Sequence, residues 1–226
     1  MARIKFGAVV VDGSGKLGGH VFSKNRGGNY LRTKTTPVNP QSGQQTRVRG
    51  IFASISSGWA GLSEEDRKSW EDRSAEYART NVFGDLKNPN GKALYQRLNQ
   101  NLLLAGEPAL SVCPPSAPVV GMEVSAVNAA ATGDVFTITN DVDLTGYKVI
   151  LSGTPAVSPG KTFVKNILRN IATFDGAAAG SIDIFNYYND WFGLFNAGSV
   201  IYIAVQTQNA NGQKSPKQTF RVVIGA

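Results

Sequence analysis

A glycine-rich tetrapeptide near the N-terminus is the segment closest in pattern to a phosphate-binding loop. Gly-Ser-Gly-Lys occupies positions 13–16, shortly after an apolar run at 8–11. A phosphate-binding loop also needs a glycine five positions before its Gly-Lys pair and a serine or threonine after the lysine. Val10 and Leu17 occupy those two positions. The segment is therefore predicted to be a tight turn with a solvated lysine.

The chain offers few side chains for nucleophilic or metal chemistry. His20 is the only histidine and Cys113 the only cysteine, so neither a Cys/His zinc cluster nor an internal disulfide can form. A Ser/His/Asp triad would have to use His20, which lies in a glycine-rich segment where a surface side chain is expected. We therefore expect no enzymatic activity, no catalytic residue, no cofactor and no metal site.

An acidic cluster follows the first predicted helix. Glu64, Glu65 and Asp66 come directly after Ser63. A serine at this place caps a helix, and acids in the first turn complement the helix dipole. Adjacent acids on a helix point in diverging directions. The pattern therefore favours a solvated helix face over a metal or acid-base site.

The densest aromatic cluster lies in the C-terminal half of the chain. Its members are Tyr187, Tyr188, Trp191, Phe192 and Phe195. Such a cluster can be a contact patch for a neighbouring subunit or a sugar, or it can fill the core between two sheets. The core interpretation is favoured, and the contact patch stays open as an alternative.

Positive charge is concentrated at the N-terminus. Residues 1–50 hold nine cations against one acid, whereas residues 51–226 hold fourteen cations and fifteen acids. The nine cations are Arg3, Lys5, Lys16, Lys24, Arg26, Arg32, Lys34, Arg47 and Arg49. They are predicted to bind a partner, either an acidic protein lattice or the phosphates of nucleic acid, and a solvated tail is the remaining interpretation. No base-reading motif is present, so contact with nucleic acid would be non-specific.

The segment that carries most of these cations is predicted to be extended. Residues 1–46 form this basic arm, because seven glycines in the first 28 residues and two later prolines exclude a helix. Short strands are predicted at 8–11, 20–23 and 30–33. The arm holds too little apolar material for a core of its own. We therefore expect it to become ordered by lying on something else.

A small helical subdomain is predicted over residues 47–113. Its first helix has apolar residues at helical spacing, namely Val48, Ile51, Phe52, Ile55 and Trp59. A second helix begins after Ser63 and buries Trp70 and Tyr77. A third runs from about 91 to 105 and is ended by Gly106.

The remainder of the chain is predicted to be rich in β-structure. A stiff Pro-rich linker at 114–118 precedes residues 119–226, in which alternating apolar residues indicate strands. These strands are predicted near 136–139, 147–151, 182–184, 201–205 and 220–224. Five or more strands of this kind indicate an antiparallel β-sandwich. The predicted fold class is therefore α+β, with an extended arm, a helical subdomain and a sandwich.

Two segments of the last region resemble fibronectin type III and related immunoglobulin-like domains. Residues 195–205, Phe-Asn-Ala-Gly-Ser-Val-Ile-Tyr-Ile-Ala-Val, resemble that family's turn into its penultimate strand. Residues 209–216, Asn-Ala-Asn-Gly-Gln-Lys-Ser-Pro, resemble the hairpin loop before its last strand. Ile201 stands where a tyrosine is usual, with Tyr202 one step later, and residues 153–180 are longer than a typical connection. The resemblance implies an immunoglobulin-like sandwich.

The first hundred residues resemble a group of bacteriophage and prophage proteins. The resemblance is carried by Asn-Pro-Gln-Ser-Gly-Gln-Gln-Thr-Arg-Val-Arg at 39–49 and by Trp-Ala-Gly-Leu-Ser at 59–63 with Trp70. It continues in Leu-Asn-Gln-Asn-Leu at 98–102, through Gly106. It covers about half of the chain, implies a role in the virion and brings no catalytic residues with it.

These observations predict a bacteriophage virion structural protein. The leading interpretation is an auxiliary or decoration protein of the capsid, present in many copies, whose basic arm clamps the major capsid protein or other virion proteins. The alternatives are a neck, tail or fibre-base protein, and a non-specific nucleic-acid-binding module. No stretch approaches the roughly 18–20 apolar residues of a membrane span, and the N-terminus lacks a secretory signal. We therefore expect assembly into the virion in the bacterial host cytoplasm, with no membrane partner.

Overall fold

The computed structural model of the protein describes residues 2–7, 12–25, 28–80, 84 and 86–225. Over these residues the chain is a mixed α and β protein with four α-helices and several antiparallel sheets. The chain forms two compact units, Met1–Gln45 and Thr46–Ala226. The strand predicted at 8–11 and the cation Arg26 lie outside the described residues, as does the side chain of Arg3.

The first unit contains a four-stranded antiparallel sheet. Its strands are β1 (Ala2–Arg3), β2 (Gly15–Leu17), β3 (His20–Asn25) and β4 (Gly28–Thr33), in the order β1-β4-β3-β2. Leu17 pairs with His20, so the β2–β3 hairpin has a two-residue Gly-Gly turn. Gly18 has a φ of 56°, the positive region that such hairpin turns require. The strands predicted at 20–23 and 30–33 are confirmed.

The backbone of the predicted arm is therefore more regular than its composition indicates. Cross-strand hydrogen bonds satisfy peptide groups that an irregular arm would leave to water. None of the side chains that the structure describes in residues 2–45 is buried, in keeping with the small apolar content. The Phe6 and Phe22 rings, 6.3 Å apart, are both half-buried. Pairing orders the described strands of this unit without burying any of their described side chains.

Three helices follow, and their ends are set by local signals. They are α1 (Gly43–Gly61), α2 (Glu64–Asp72) and α3 (Gly91–Leu104). The Ser63 hydroxyl oxygen accepts the Asp66 backbone N–H at 3.1 Å, which confirms the predicted cap of α2. At the end of α3, Gly106 has a φ of 84° and the Glu107 N–H donates to the Leu102 carbonyl at 2.9 Å. This geometry needs a residue without Cβ, and it confirms Gly106 as the stop.

The helices share a small core that uses only part of α1. The buried members are Ile55, Trp70, Tyr77, Leu94, Tyr95, Leu98 and Cys113. Tyr77 lies in a 3₁₀ turn (Arg73–Tyr77) that follows α2, rather than in α2 itself. Val48 and Phe52 were predicted on the buried face of α1, but both are exposed. The prediction is wrong for these two residues: the α1 side chains packed in or against this core include Ile51, Ile55 and Trp59.

The segment predicted as a linker is fastened to its surroundings. The Ser116 N–H donates to the Glu76 carboxylate at 3.0 Å, and the Ala117 N–H donates to the Gln213 side-chain oxygen at 3.2 Å. The Tyr77 hydroxyl donates to the Pro114 carbonyl at 2.9 Å. These bonds tie the helices and the C-terminal strands into the same compact unit.

Two further antiparallel sheets make up the C-terminal region. A short strand pair, β5 (Arg79–Thr80) with β6 (Leu86–Lys87), precedes α3. The later strands are β7 (Val124–Ala130), β8 (Val135–Asn140), β9 (Lys148–Gly153), β10 (Arg169–Asp175), β11 (Gly180–Asp183), β12 (Val200–Gln208) and β13 (Gln218–Val223). One sheet has the order β10-β9-β12-β13 and the other β11-β8-β7. A fourth helix, α4 (Phe185–Phe192), follows β11.

One apolar core lies against both of these sheets. Its buried members come from all but one of the seven strands and from the neighbouring loops and α4, and include Ala129, Phe136, Ile138, Val149, Leu151, Ile171, Ile201, Ile203 and Val222. The alternation that predicted β8, β9, β12 and β13 places these side chains inward. Strands β7 and β10 were not predicted, and the run at 182–184 ends one residue earlier than expected, where α4 begins.

Candidate functional site

The register of the first sheet gathers predicted cations on one face. Lys16 of β2 pairs with Val21 of β3, and Val21 pairs with Arg32 of β4. Residues directly opposite in neighbouring strands point to the same side of a sheet. Lys16 and Arg32 therefore flank Val21 on this face, which we call the basic face.

The basic face continues into a shallow hollow of about 280 Å³. The described residues that line it are Lys16, Val21, Arg32, Lys34, Thr35, Thr36 and Pro37, and none of them is acidic. Lys34 is held in place because its backbone N–H donates to the Gly19 carbonyl at 2.8 Å. Three cations around one apolar side chain favour an anionic partner, because the cations repel one another and a bound negative group offsets that repulsion.

Two other predicted cations of this unit lie outside the hollow. Lys24 differs from Val21 by an odd number of positions along β3, so its side chain lies on the opposite face. It forms an exposed ion pair with Asp12 at 3.5 Å. Lys5 is exposed in the segment after β1 and is not among the lining residues. Lys24 is therefore a natural control for the basic face.

Arg47 and Arg49 were predicted to act with the other cations, but both belong to the second unit. Arg47 donates from its guanidinium to the Leu104 carbonyl at 3.5 Å. A cation at this position also complements the C-terminal end of the α3 dipole. Arg49 lies on the exposed first half of α1. The predicted set of nine cations is thus divided between two units.

The aromatic cluster is divided between core and surface. Tyr188 and Phe195 are buried, with rings 5.7 Å apart. The Tyr188 hydroxyl donates to the Thr154 carbonyl at 2.9 Å, and burial raises the pKa of Tyr188 to about 12. Phe192 is half-buried against Tyr188. These three side chains are core, as the favoured sequence interpretation expects.

Only two members of the aromatic cluster remain accessible to a partner. Tyr187 and Trp191 are 40% and 44% exposed, and they are four residues apart on α4, on one side of the helix. Tyr187 also stacks on Phe174 of β10 with ring centroids 5.5 Å apart. A contact patch at this place is therefore limited to Tyr187 and Trp191.

The residues considered for nucleophilic or capping roles lie either in the core, on an exposed strand or at the start of α2. Cys113 is buried, and burial raises the pKa of its thiol to about 11, so the thiol stays protonated at neutral pH. His20 is exposed at the start of β3. Glu64 and Glu65 are exposed in the first turn of α2, while Asp66 accepts a hydrogen bond from the Ser63 hydroxyl at 2.8 Å.

Sequence reasoning located the cations but missed the lining that accompanies them. Thr35, Thr36 and Pro37 were not singled out, although a Thr-Thr-Pro run directly after a predicted basic strand is visible in the sequence. Within the described residues there is no group of three or more His, Cys, Asp or Glu side chains placed to hold a metal. The helices of the described part are all too short or too polar to cross a membrane.

Comparison with known proteins adds no relative. No protein-family model matches the chain, and a search of the curated proteins finds no match. Function therefore has to be argued from the residues and their geometry.

Proposed function

We propose that the protein is a non-enzymatic structural protein of a bacteriophage particle, an auxiliary or decoration protein of the capsid. The observation that carries this proposal is the basic face on a sheet that has no buried residue among its described members. A sheet of this kind gains stability when a second surface covers it. The cationic hollow favours an acidic surface, and the sequence resemblance at 39–49, 59–63 and 98–102 supports the virion as its place.

The C-terminal region is proposed to be an immunoglobulin-like sandwich of the fibronectin type III kind. Lettered in chain order, β7 to β13 become A, B, C, C′, E, F and G. The observed orders are then A-B-E in one sheet and C′-C-F-G in the other. Immunoglobulin-like domains place C, F and G together opposite A, B and E, with C′ joining the C-F-G sheet in some members. The shared core of the two sheets supports the same assignment.

The departure from the family pattern at position 201 has a structural counterpart. Ile201 is fully buried in the core, whereas the Tyr202 hydroxyl donates to the Lys161 carbonyl at 2.7 Å. Tyr202 also packs with Val164 and Val200 in a separate small cluster. The tyrosine therefore anchors the long connection between β9 and β10, which accounts for both departures together.

The proposed mechanism is attachment through many weak contacts. A single exposed ion pair contributes about 0–1 kcal/mol, so one cation of the basic face cannot hold the protein on a particle. Several cations on one face act together, because engagement of the first holds the others near their partners and gives an avidity that a single contact lacks.

The proposal is tested by measuring incorporation into particles. The triple variant Lys16→Gln, Arg32→Gln, Lys34→Gln removes the cations of the hollow and leaves the sheet register unchanged. We expect its copy number in purified particles, measured by quantitative mass spectrometry, to fall at least roughly tenfold. Lys24→Gln is the matched control, because it removes one cation from the opposite face, and it should incorporate normally. Normal incorporation of the triple variant would contradict the proposal.

A neck, tail or fibre-base position is the first alternative within the virion. The same incorporation assay detects it, and the copy number separates it from a capsid decoration. A decoration protein follows the number of capsid subunits, whereas a neck or tail protein is present in few copies. Density for the chain in a map of the intact particle would decide between them.

Non-specific nucleic-acid binding is the second alternative, favoured by the same cluster of Lys16, Arg32 and Lys34. Each phosphate neutralised by a cation adds roughly 0.9 to the slope of log affinity against log salt on duplex DNA. If DNA covers the basic face, the triple variant should lower that slope by about 3. If the partner is protein, the isolated chain should show no salt-dependent DNA binding that this variant removes.

The absence of enzymatic activity is part of the proposal and is tested directly. Hydrolase, transferase and nuclease assays of the purified chain are expected to show no turnover. A turnover that disappears on His20→Ala, or on neutralising Glu64 and Glu65, would refute a purely structural role.

A further inference from the structure

A second concentration of positive charge lies inside the second unit. A cleft of about 620 Å³ opens between α3, the segment after the 3₁₀ turn, and the loop before β13. Its lining includes three cations, Arg79, Arg97 and Lys214, and one acid, Glu76. These cations were not singled out by the sequence, because they are far apart along the chain and each stands alone in its segment.

The charge of the cleft depends on whether its three cations form ion pairs. In the part of the chain that the structure describes, none of the three forms an ion pair. The Arg97 guanidinium lies over the Tyr77 ring, 5.6 Å from its centroid. The Glu76 carboxylate is already engaged, since it accepts the Ser116 N–H at 3.0 Å. The net charge of the described lining residues is therefore positive, and no ion pair among them offsets it.

The surroundings of Arg97 and Lys214 disfavour the charged forms of these two side chains. Burial, with Arg79 nearby, lowers the pKa of Arg97, and burial, with Lys217 nearby, lowers the pKa of Lys214. Partly buried like charges destabilise a fold unless something neutralises them. Packing alone would be served better by uncharged side chains at these positions.

The walls of the cleft are fixed by close packing and hydrogen bonds. Gly212 has a φ of 76°, and a Cβ there would lie 2.5 Å from the Leu98 carbonyl oxygen, so the loop contacts α3 backbone to backbone. The Asn101 side-chain amide donates to the Gly212 carbonyl at 2.8 Å. Gln213 accepts the Ala117 N–H at 3.2 Å. A rigid lining of this kind loses little entropy when a ligand enters.

We propose that this cleft binds a phosphoryl group, with Arg79, Arg97 and Lys214 as its cationic ligands. Guanidinium groups pair with phosphate oxygens through two N–H groups at once, and an ammonium group supplies a point charge. The lining carries two more positive than negative groups, which matches a phosphate dianion rather than a single carboxylate. The volume is that of sites for small organic ligands. The phosphoryl group belongs either to a small phosphate compound or to a nucleic-acid backbone.

Titration calorimetry of the full chain at low ionic strength tests the site, with pyrophosphate as the probe. Arg97→Gln and Lys214→Gln are each expected to weaken pyrophosphate binding by about tenfold or more. Two controls should leave the affinity unchanged. One is Lys165→Gln, an exposed lysine outside the lining. The other is the triple variant of the basic face, which separates this site from the proposed attachment surface.

The variant Glu76→Gln tests the site through an expected gain, rather than a loss, of affinity for pyrophosphate. Glutamine keeps an oxygen that can accept the Ser116 N–H, while the negative charge in the cleft disappears. Pyrophosphate binding is expected to tighten by about threefold or more. The proposal is overturned if Glu76→Gln has no effect while Arg97→Gln and Lys214→Gln bind as tightly as the unmodified chain. It is also overturned if the basic-face variant alone removes binding.

A competition arm identifies the source of the phosphoryl group. If the ligand is a small phosphate compound, a single-stranded oligothymidylate should fail to displace pyrophosphate. If the ligand is a nucleic-acid backbone, the oligothymidylate should displace pyrophosphate. Lys214→Gln should then also weaken the binding of the oligothymidylate to the chain. Both outcomes support a phosphoryl site, and they divide its two sources.

Discussion

The four-stranded sheet of the first unit and the two sheets at the C-terminal end are both antiparallel, but different forces hold them together. The first unit has seven cations, one acid and no buried residue among its described members. In the C-terminal sheets, Phe136, Leu151 and Ile203 are all essentially inaccessible to solvent. Regular hydrogen bonding is therefore present in both regions, whereas among the described residues of the two, buried apolar side chains are found only in the C-terminal sheets.

The difference between the two regions shows that strands can be paired regularly without the folding free energy that a buried apolar core contributes. A backbone hydrogen bond contributes only about 0.5–1.5 kcal/mol net, because the unfolded chain bonds to water instead. Burial of a large apolar side chain contributes about 1.5–3 kcal/mol. The described residues of the first unit form strand-pairing hydrogen bonds but include no buried large apolar side chain. The proposed attachment role would bring a second surface against this sheet and so add burial that its described side chains lack.

The largest expected effect comes from expressing the C-terminal sheets and the N-terminal part of the chain as separate pieces. Residues 119–226 expressed alone are expected to fold as a β-rich domain, because the core of both sheets lies within this piece. Residues 1–113 alone are expected to lack cooperative structure. Amide hydrogen exchange of the two pieces measures the difference. Strong cooperative protection in strands β2, β3 and β4 of the piece 1–113 would break the comparison.

A matched pair of phenylalanine substitutions sharpens the comparison. Phe136 is fully buried with its ring 5.4 Å from that of Tyr188, so Phe136→Ala should cost about 3–5 kcal/mol of unfolding free energy. Phe22 is half-buried beside Phe6, so Phe22→Ala should cost less than about 1 kcal/mol. Urea denaturation gives both values. Similar losses for the two variants would mean that the first unit has a core after all.

Two glycines test the contact between the helices and the C-terminal strands. Gly212 and Gly198 both have a positive φ, 76° and 78°, but only Gly212 has a neighbouring backbone atom where a Cβ would stand. Gly198→Ala should cost about 1 kcal/mol from backbone strain, and Gly212→Ala about 1–3 kcal/mol more from the clash. The difference between the two melting temperatures isolates the packing of this loop on α3.

The smallest expected effect is a gain in stability. The pKa of Lys214 is lower in the folded protein than in the unfolded chain, so the charged lysine disfavours folding. Lys214→Gln should therefore raise the melting temperature at neutral pH. The gain should shrink as the pH rises through the folded-state pKa of Lys214, because the unmodified lysine then loses its charge.

The control for this measurement is Lys165→Gln, an exposed lysine at which no gain is expected. A gain of equal size in both variants would show that net charge, rather than the cleft, is responsible. A lower melting temperature for Lys214→Gln would show that Lys214 stabilises the loop, contrary to the prediction.

Local patterns predicted those parts of the fold whose cause is local. Ser63 caps α2 because its hydroxyl reaches the backbone three residues ahead, and Gly106 ends α3 because a positive φ is needed there. The alternation in β12 and β13 is clear because one face of each strand contacts the core. β10 was missed because half-buried residues such as Ala172 and Thr173 blur its alternation. α4 was missed because an aromatic-rich segment favours a strand by composition.

The sequence by itself determined the charge asymmetry, the order of a helical segment and a β-rich region, and the ends of two helices. Only the tertiary structure decided which cations share a surface and which aromatic side chains are buried. Lys16 and Arg32 share a face because strand register places each of them beside Val21. Tyr187 is exposed while Tyr188 is buried because only one side of α4 faces the core. Arg97 and Lys214 line one cleft because a loop packs on a helix more than a hundred residues away in the chain. Such proximity arises from packing between elements, which no local pattern contains.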